Sequence, residues 1–540
     1  MSAAVAVGWD FGTESVRAVA IDSHGRSHGV GTAAYPDGQI VRSLPGSSEP
    51  LPPRYALQNP DDWITAAAAA TREAVAGVPP ESLVGLGVDF TSCTMLPTLA
   101  DGTPLCRLDR FRSRPLAWPK LWKHHGAIEQ TDRMNRLARE RDEAFLARYG
   151  GVIGLEWFFP KLLETIEHAP DIADAAEVWL EAGDWLVWQL TGGPADTLAR
   201  STCQAGYKAL WSADRGYGSA DYFAAVHPQL AEAAATKLPG VMRPPGQAAG
   251  TLSEAAADRF GLPPGLAVSA ATIDAHAAVP GVGEAGPGTL VMVIGTSSCH
   301  MLNATAGPPV EGVAGIVEGG ILPGLFGYET GQAAVGDAFA WLLSLLGRDS
   351  FGPLAEAARA LPPGAGGVRC LDWMNGCRTP LMDGGLAGAF TGLTLATQPG
   401  HLYRALLEGS ACGVRWIIDT LREGGVPVER LVATGGLPHH NPDLVAIYAD
   451  VLGMPIEVPP SDQPCAVGAA VLGMAAAGLG SNLAALATDM AAVPAGQKHV
   501  VTPSADQPAY DAVYHDYRHL AAAAAAAAAA GRSGSRSGGG

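Results

Sequence analysis

The chain has 540 residues, 48% of them hydrophobic and 16% charged. That composition fits a globular protein with a large core, long enough for two or more domains. A formal net charge of −18 excludes the Lys- and Arg-rich face that nucleic acid requires, yet permits a small anion held by backbone N–H groups. The 8 cysteines form no C-x-x-C pair, so no zinc site is predicted and the chain reads as reduced rather than disulfide-stapled.

The start, MSAAVAVGWD, lacks a basic stretch followed by an apolar core, so no signal peptide is predicted. VGWDFGTESVRAVAID (7–22) reads as strand, glycine turn, strand. A Pro- and Gly-rich stretch from Tyr35 to Pro60 follows. A helix is predicted from Asp61 to Ala76, with Asp61 or Asp62 as N-cap. VGLGVD (84–89) reads as a buried strand. Residues 115–191 read as mainly helical. LVMVIGTSSCHML (290–302) is again strand, glycine turn, strand, an echo of residues 5–22 that suggests two related α/β halves. RLVATGG (430–436) is a strand ending in two glycines, HNPDLVAIYADVLG (440–453) a helix and MPIEVP a strand. After Pro508 a helix is predicted through ten alanines, with Gly531 as its stop and a disordered GRSGSRSGGG beyond. The longest apolar-looking run, Ala521 to Ala530, is too short to span a bilayer. The expectation is a cytoplasmic protein with no membrane or nucleic-acid partner.

Several glycine patterns carry weaker meanings. Asp10-Phe11-Gly12 shares its letters with a protein-kinase magnesium motif, but no H-R-D-type catalytic loop precedes it. Gly281 to Gly286 fits G-x-G-x-x-G without the strand before it or the helix after it that a dinucleotide site needs. There is no G-x-x-x-x-G-K-[ST] segment. What remains is the pair of loops DFGTES and IGTSS. In each, Gly allows close backbone approach and Thr or Ser adds a hydroxyl donor, which suits phosphate. His124-His125 and His439-His440 are adjacent residues that do not share a helix face, so neither pair is read as a metal site. Trp118, Trp122, Trp157, Trp179, Trp185 and Trp188 are read as core, with Trp157 a candidate to line a pocket.

These segments together resemble the FGGY carbohydrate kinases, of the actin, hexokinase and Hsp70 superfamily, over about residues 5–520. VGWDFGTESVRAVAID resembles the first phosphate loop, VIGTSSC the second and VATGGLPHHNP the adenosine loop. GLAGAFTGLTLATQPGHLYRALLEG (385–409) resembles the C-terminal signature. GVDFTSCTMLP (87–97), LWKHHGAIE (121–129), EWFFPKLLE (156–164), CQAGYKALW (203–211), IDAH (273–276), GYETGQAAVGDAFAW (327–341) and SDQPCAVGAA (461–470) are most similar to the bacterial L-ribulokinase branch. Glu164 stands where the family signature usually has Trp, three residues after Lys161, and that branch also lacks the Trp. Asn375 to Pro380 lacks the Glu of the family's Gly-Glu-Arg-x-Pro segment.

The resemblance implies an α/β fold of two ribonuclease H-like domains, 1–284 and 285–520, flanking an ATP and sugar cleft, with a tail over 521–540. It implies ATP-dependent phosphorylation of L-ribulose at the 5-hydroxyl, with Asp274 as general base. Kinases for D-ribulose, xylulose or ribitol are the nearest alternatives, and a chaperone-type ATPase of the superfamily is a remote one. The sugar is expected at Leu96, Lys208, Asp274 and Glu329. ATP is expected at Gly12, Thr13, Gly295, Thr296, Gly336, Gly436 and at Asn441 or His440, with Asp10 ordering Mg²⁺ through water. A homodimer is the candidate assembly.

Overall fold

A computed structural model describes residues 3–284, 286–461, 463–480, 482–491 and 499–536, with the side chains of 531–536 left out. Asp462 of the SDQPCAVGAA segment and the last four residues of the tail lie outside the described residues. The chain forms two compact units. One comprises Met1–Gly286, Ile316–Gly327 and Gln463–Ala492; the other comprises Pro287–Gly315, Tyr328–Asp462 and Val493–Gly540.

The first unit is built on a mixed sheet. Its strands run in the order Ser27–Ala34, Ser15–Asp22, Val5–Phe11, Leu83–Phe90, Ala267–Ser269, Ala248–Thr251, and Thr272–Ile273 also pairs with Leu83–Phe90. Val5–Phe11 is antiparallel to Ser15–Asp22 and parallel to Leu83–Phe90. The predicted strand, turn and strand of residues 5–22 are therefore present. The parallel register places Gly8 beside Gly87, Asp10 beside Asp89 and Phe11 beside Phe90. The two phenyl rings stack 4.9 Å apart, and Trp63 meets Phe90 edge-on at 5.0 Å.

The sheet of the second unit repeats this local plan. Thr289–Ile294 is antiparallel to Ser298–Ala304 and parallel to Arg430–Thr434. Phe326–Gln332 flanks the hairpin, while Ile456–Val458 and His499–Val501 extend the other edge. The internal echo seen in the sequence is a repeated strand arrangement.

One helix of the first unit, Pro464–Ala476, lies unusually close to its neighbours. A Cβ on Gly8 would stand 1.9 Å from the Ala466 carbonyl oxygen, and one on Gly87 1.7 Å from that of Ala469. A Cβ on Gly468 would stand 1.7 Å from the Ala277 carbonyl of helix Asp274–Gly281. These contacts are backbone on backbone, so no side-chain rotation can relieve them. The helix is apolar on all sides, as a fully covered helix should be.

Two sequence expectations need correction. The N-cap of helix Pro60–Ala74 is Asn59, whose side chain accepts from the Asp61 N–H, and not Asp61 or Asp62. Pro60 explains the shift: its fixed φ and missing N–H suit the first helical position. The C-terminal helix, Tyr510–Arg536, also runs past Gly531. It includes Gly531 and Gly534, so the expected disordered tail is helical as far as Arg536; each Gly costs only about 1 kcal/mol against Ala, and the long alanine run propagates through them. No helix among the described residues is long and apolar enough to cross a membrane.

Gly87→Ala is expected to destabilise the protein by at least about 2 kcal/mol, the scale of overpacking against rigid backbone. Gly77, whose Cβ would meet nothing within 4 Å, is the control, and Gly77→Ala should leave stability unchanged. Urea unfolding of both variants checks the difference.

Candidate active site

The first unit gathers three carboxylates at the carboxyl ends of parallel strands, where ligands bind in α/β sheets. Asp10 and Asp89 are paired in register, and Ile273, paired with Phe90, leads directly into Asp274. Asp274 opens helix Asp274–Gly281, is half-buried, and its Oδ1 accepts the Ala275 N–H at 2.6 Å. Asp10 is nearly buried and bonded to Arg17 at 3.0 Å across the antiparallel pair. Asp89 is fully buried. Burial, then the charges of Asp10 and Asp274, push its carboxyl well above the usual carboxylate range. Cys465, at the start of the close-packed helix, feels the same three carboxylates.

Asp89 and Arg17 had no role in the sequence reading. The signal for Asp89 was present: GWDF (8–11) and GVDF (87–90) are the same pattern on paired strands. Gly281 ends a helix rather than following a strand, which removes the dinucleotide reading of residues 281–286.

The phosphate-loop candidates are ordered by local bonds. In the first unit the Gly12 N–H donates to the Ser15 carbonyl at 3.0 Å. Tyr35 Oη donates to the Gly12 carbonyl at 3.1 Å and Gln58 Nε2 to the Thr13 carbonyl at 2.9 Å. In the second unit the Gly295 N–H donates to the Ser297 carbonyl at 2.9 Å, and the Val335 and Asp337 N–H groups donate to the Thr296 carbonyl at 3.0 and 3.2 Å. Gly336 starts helix Gly336–Leu345, and a Cβ there would come 2.7 Å from the Gly295 carbonyl. Gly295, Thr296 and Gly336 are thus one cluster.

The adenosine-loop candidates occupy different settings. Gly435 adopts φ +94°, and Gly436 opens the short helix Gly436–His440. Asn441 caps the next helix, Pro442–Leu452: its Oδ1 accepts from the Leu444 N–H at 3.2 Å and its Nδ2 donates to Tyr403 Oη at 3.1 Å. His440 is exposed.

Lys208 ends helix Thr202–Lys208 and is buried, its ammonium 5.7 Å from the centre of the Trp157 ring. Tyr149 meets Trp157 edge-on at 4.8 Å and donates to the Gly206 carbonyl of the Lys208 helix at 2.5 Å. Leu96 lies on strand Met95–Thr98 opposite Leu180, and its side chain is fully buried in the core. Glu329, on Phe326–Gln332, is buried and ion-paired with Arg378, whose Nη1 also lies 3.6 Å from Cys299 Sγ. Arg378 belongs to the segment that departs from the family's Gly-Glu-Arg-x-Pro.

Further charged residues surround the Lys208 region. Cys93 takes φ +59°, and its carbonyl accepts from the buried Lys161 ammonium. His124 Nε2 lies 2.8 Å from Glu164, so the Glu in place of Trp has a buried histidine partner. Five of the six tryptophans are buried as expected, but Trp122 is only half-buried and its Nε1 donates to Thr13 Oγ1 at 3.1 Å. Glu181, opposite Met95, is buried with neither carboxylate oxygen bonded among the described residues.

Magnesium with ATP phosphates is typically held by one or two carboxylates plus water rather than by an all-protein cage. Asp10 fits that pattern, and among the described residues no group of three His, Cys, Asp or Glu side chains forms a cage.

The fold and these loops define an α/β kinase of two units, each with a glycine-hydroxyl loop between antiparallel strands. The comparisons agree with that class. Residues 5–281 match the N-terminal domain and 290–477 the C-terminal domain of the FGGY family of carbohydrate kinases, and the chain belongs to that family. It is 46% identical over 486 residues to a ribulokinase of Geobacillus thermodenitrificans, covering 87% of this chain and 86% of that protein. It is 42% identical to a ribulokinase of Mycolicibacterium smegmatis, covering 95% and 93%. Its fold matches a xylulose kinase from Rhodospirillum rubrum with a TM-score of 0.77 at 25% identity, covering 96% and 98% of the two chains. A Plasmodium falciparum glycerol kinase with ADP matches at the same TM-score and 16% identity, covering 97% and 98%.

Burial pushes the Glu181 carboxyl up to about 8, from an ordinary 4.5, with Lys161 drawing it back down. The native state therefore keeps a proton that the unfolded chain releases first, and stability falls as pH rises through that window. The slope contributed is at most about 1.4 kcal/mol per pH unit. Glu181→Gln removes it, so the variant should gain stability relative to wild type on going from pH 5 to pH 8. Thermal unfolding across that range checks this; identical pH slopes would contradict it.

Proposed function

We propose that this protein transfers the γ-phosphoryl group of ATP to the 5-hydroxyl of L-ribulose, with Asp274 as general base. The observation that carries the reading is the placement of Asp274. It is a half-buried carboxylate at a helix start, at the carboxyl end of a parallel strand pair, in a chain 42–46% identical to proteins named ribulokinase.

A sugar hydroxyl is a weak nucleophile at neutral pH. Asp274 accepts its proton as the oxygen–phosphorus bond forms. The bond from the γ-phosphorus to the β,γ-bridging oxygen breaks, and ADP leaves with the electron pair. Little other covalent chemistry is needed, so positioning and charge neutralisation supply most of the acceleration. Thr13 from the first unit and Thr296 from the second would donate to the phosphates, while Gly12 shapes its turn and Gly295 lets its loop approach closely. Mg²⁺, ordered by Asp10 through water, would neutralise phosphate charge. Arg17 holds the Asp10 carboxylate in place for that task. Gly336, Gly436 and Asn441 are the candidates for the nucleoside. Because Asn441 already caps a helix, its contact with the base would be made by the remaining capacity of its amide, or by His440.

Lys208 and Glu329 are the candidates for the ketose oxygens, with the backbone near Leu96 as a third. Their partners restrict them usefully. Trp157 packs beside the Lys208 ammonium, and the Arg378 guanidinium holds the Glu329 carboxylate in one orientation. On this reading the two domains expected from sequence, 1–284 and 285–520, divide the labour: base and phosphate loop in the first, second phosphate loop and nucleoside contacts in the second.

ADP release is measured with L-ribulose, D-ribulose, L-xylulose, D-xylulose, ribitol and glycerol as acceptors. L-ribulose is expected to give the highest kcat/KM. Turnover with none of the ketopentoses would remove the reading. Asp274→Asn is expected to lower kcat by about 100-fold or more with modest change in KM, the range of a lost general base. Near-full activity in that variant would reassign the base.

A further inference from the structure

The turn after Phe11 is held by three side chains distant in sequence. Tyr35 and Gln58 grip the carbonyls of Gly12 and Thr13, which fixes the backbone. The third, Trp122, acts on a rotatable group: its indole Nε1 donates to Thr13 Oγ1 at 3.1 Å.

A threonine hydroxyl has one proton and two lone pairs, and the proton swings to suit its surroundings. An indole N–H can only donate. With one lone pair engaged by Trp122, the Thr13 proton must point away from the indole. Among the described residues no acceptor takes it. Thr13 is partly open, so the O–H is free to face a ligand. Trp122 itself departs from its neighbours Trp118, Trp157, Trp179, Trp185 and Trp188, all of which are buried. It is the one of the six read as core that reaches the loop. The second loop is built differently: there the Thr296 carbonyl is fixed by Val335 and Asp337, and the residue is exposed.

We propose that Trp122 is a positioning residue for the nucleotide: its indole N–H orients the Thr13 hydroxyl so that the O–H is presented to a phosphate oxygen of ATP. The inference rests on reading DFGTES as the first phosphate loop. A donor oriented before the ligand arrives needs no reorganisation when phosphate charge develops. The same bond makes the LWKHHGAIE segment, which has no other assigned contact with the nucleotide, part of the phosphate-binding apparatus.

Trp122→Phe removes the N–H and keeps a ring; Trp122→His restores a ring N–H. Steady-state constants for ATP and for the ketose are measured for both, for Thr13→Ala and for the Trp122→Phe/Thr13→Ala double variant, together with thermal unfolding. Trp122→Phe is expected to lower kcat/KM for ATP by about three- to tenfold, the scale of one hydrogen bond, with KM for the ketose unchanged. Trp122→His should recover part of the loss. In the Thr13→Ala background Trp122→Phe should cost nothing further, because the group it orients is gone. Full additivity in the double variant, or a change in ketose KM with ATP constants untouched, overturns the positioning role. Thr13→Ala without effect on ATP overturns the phosphate-loop reading itself, which separates the two failures. Should Trp122→Phe not fold, Trp122→Leu, which also lacks the N–H, combined with Thr13→Ala reads the same coupling.

Discussion

The strands bearing Asp10 and Asp89 can lie against helix Pro464–Ala476 only because the positions at closest approach, Gly8 and Gly87, have no side chains. Gly8, Gly87 and Gly468 bring backbone within van der Waals reach of backbone, and a single methyl at any of them would stand under 2 Å from a carbonyl oxygen. That contact sets the height of both strand ends and of the helix that begins with Asp274. The acidic cluster follows from it. Asp10 and Asp89 are brought side by side by strand register, and Asp274 by the short Thr272–Ile273 pairing. A cluster of like charges is costly, and the protein meets the cost in two ways. Arg17 neutralises Asp10, and burial favours the protonated form of Asp89.

The second unit applies the same economy of backbone to its own loop. Gly336 abuts the Gly295 carbonyl, and successive N–H groups from Val335 to Asp337 bond the carbonyls of Gly295 and Thr296. A buried network stands behind it. Gln332 Nε2 donates to Asp372 at 2.7 Å, Tyr517 Oη donates to the other oxygen of Asp372 at 2.6 Å, and the Asp372 carboxyl is pushed up to about 6 by burial. Gln332 shares its strand with Glu329, so the C-terminal helix that carries Tyr517 braces the strand that carries a substrate candidate.

The local elements were legible in the sequence where local rules dominate. VAVGWDFGTESVRAVAID shows its strands through Val alternation and its turn through Gly12, and LVMVIGTSSCHML does the same. The family resemblance then supplied candidate roles that spacing alone could not, the proposed base Asp274 above all. What stayed hidden were pairings made across long stretches of chain. Asp89 meets Asp10 only in parallel register, Arg378 reaches Glu329 on its strand from a loop, and Glu164 on helix Phe158–His168 meets His124 in the loop before the helix that starts at Ile128. No periodicity within a segment encodes these. Asn59 was missed for a local reason, since Pro60 moves the helix start upstream of the acidic pair. Trp122 was read with the other tryptophans because composition does not distinguish a buried indole from one whose N–H reaches a loop.

The central claim is that a carboxylate-assisted sugar hydroxyl, rather than water or another acceptor, receives the phosphoryl group. Phosphorus NMR of the product formed from ATP and L-ribulose tests it most directly. The account predicts a single phosphomonoester coupled to the two C5 methylene protons, formed in step with ADP. Inorganic phosphate alone, or an ester at any other carbon, would contradict it.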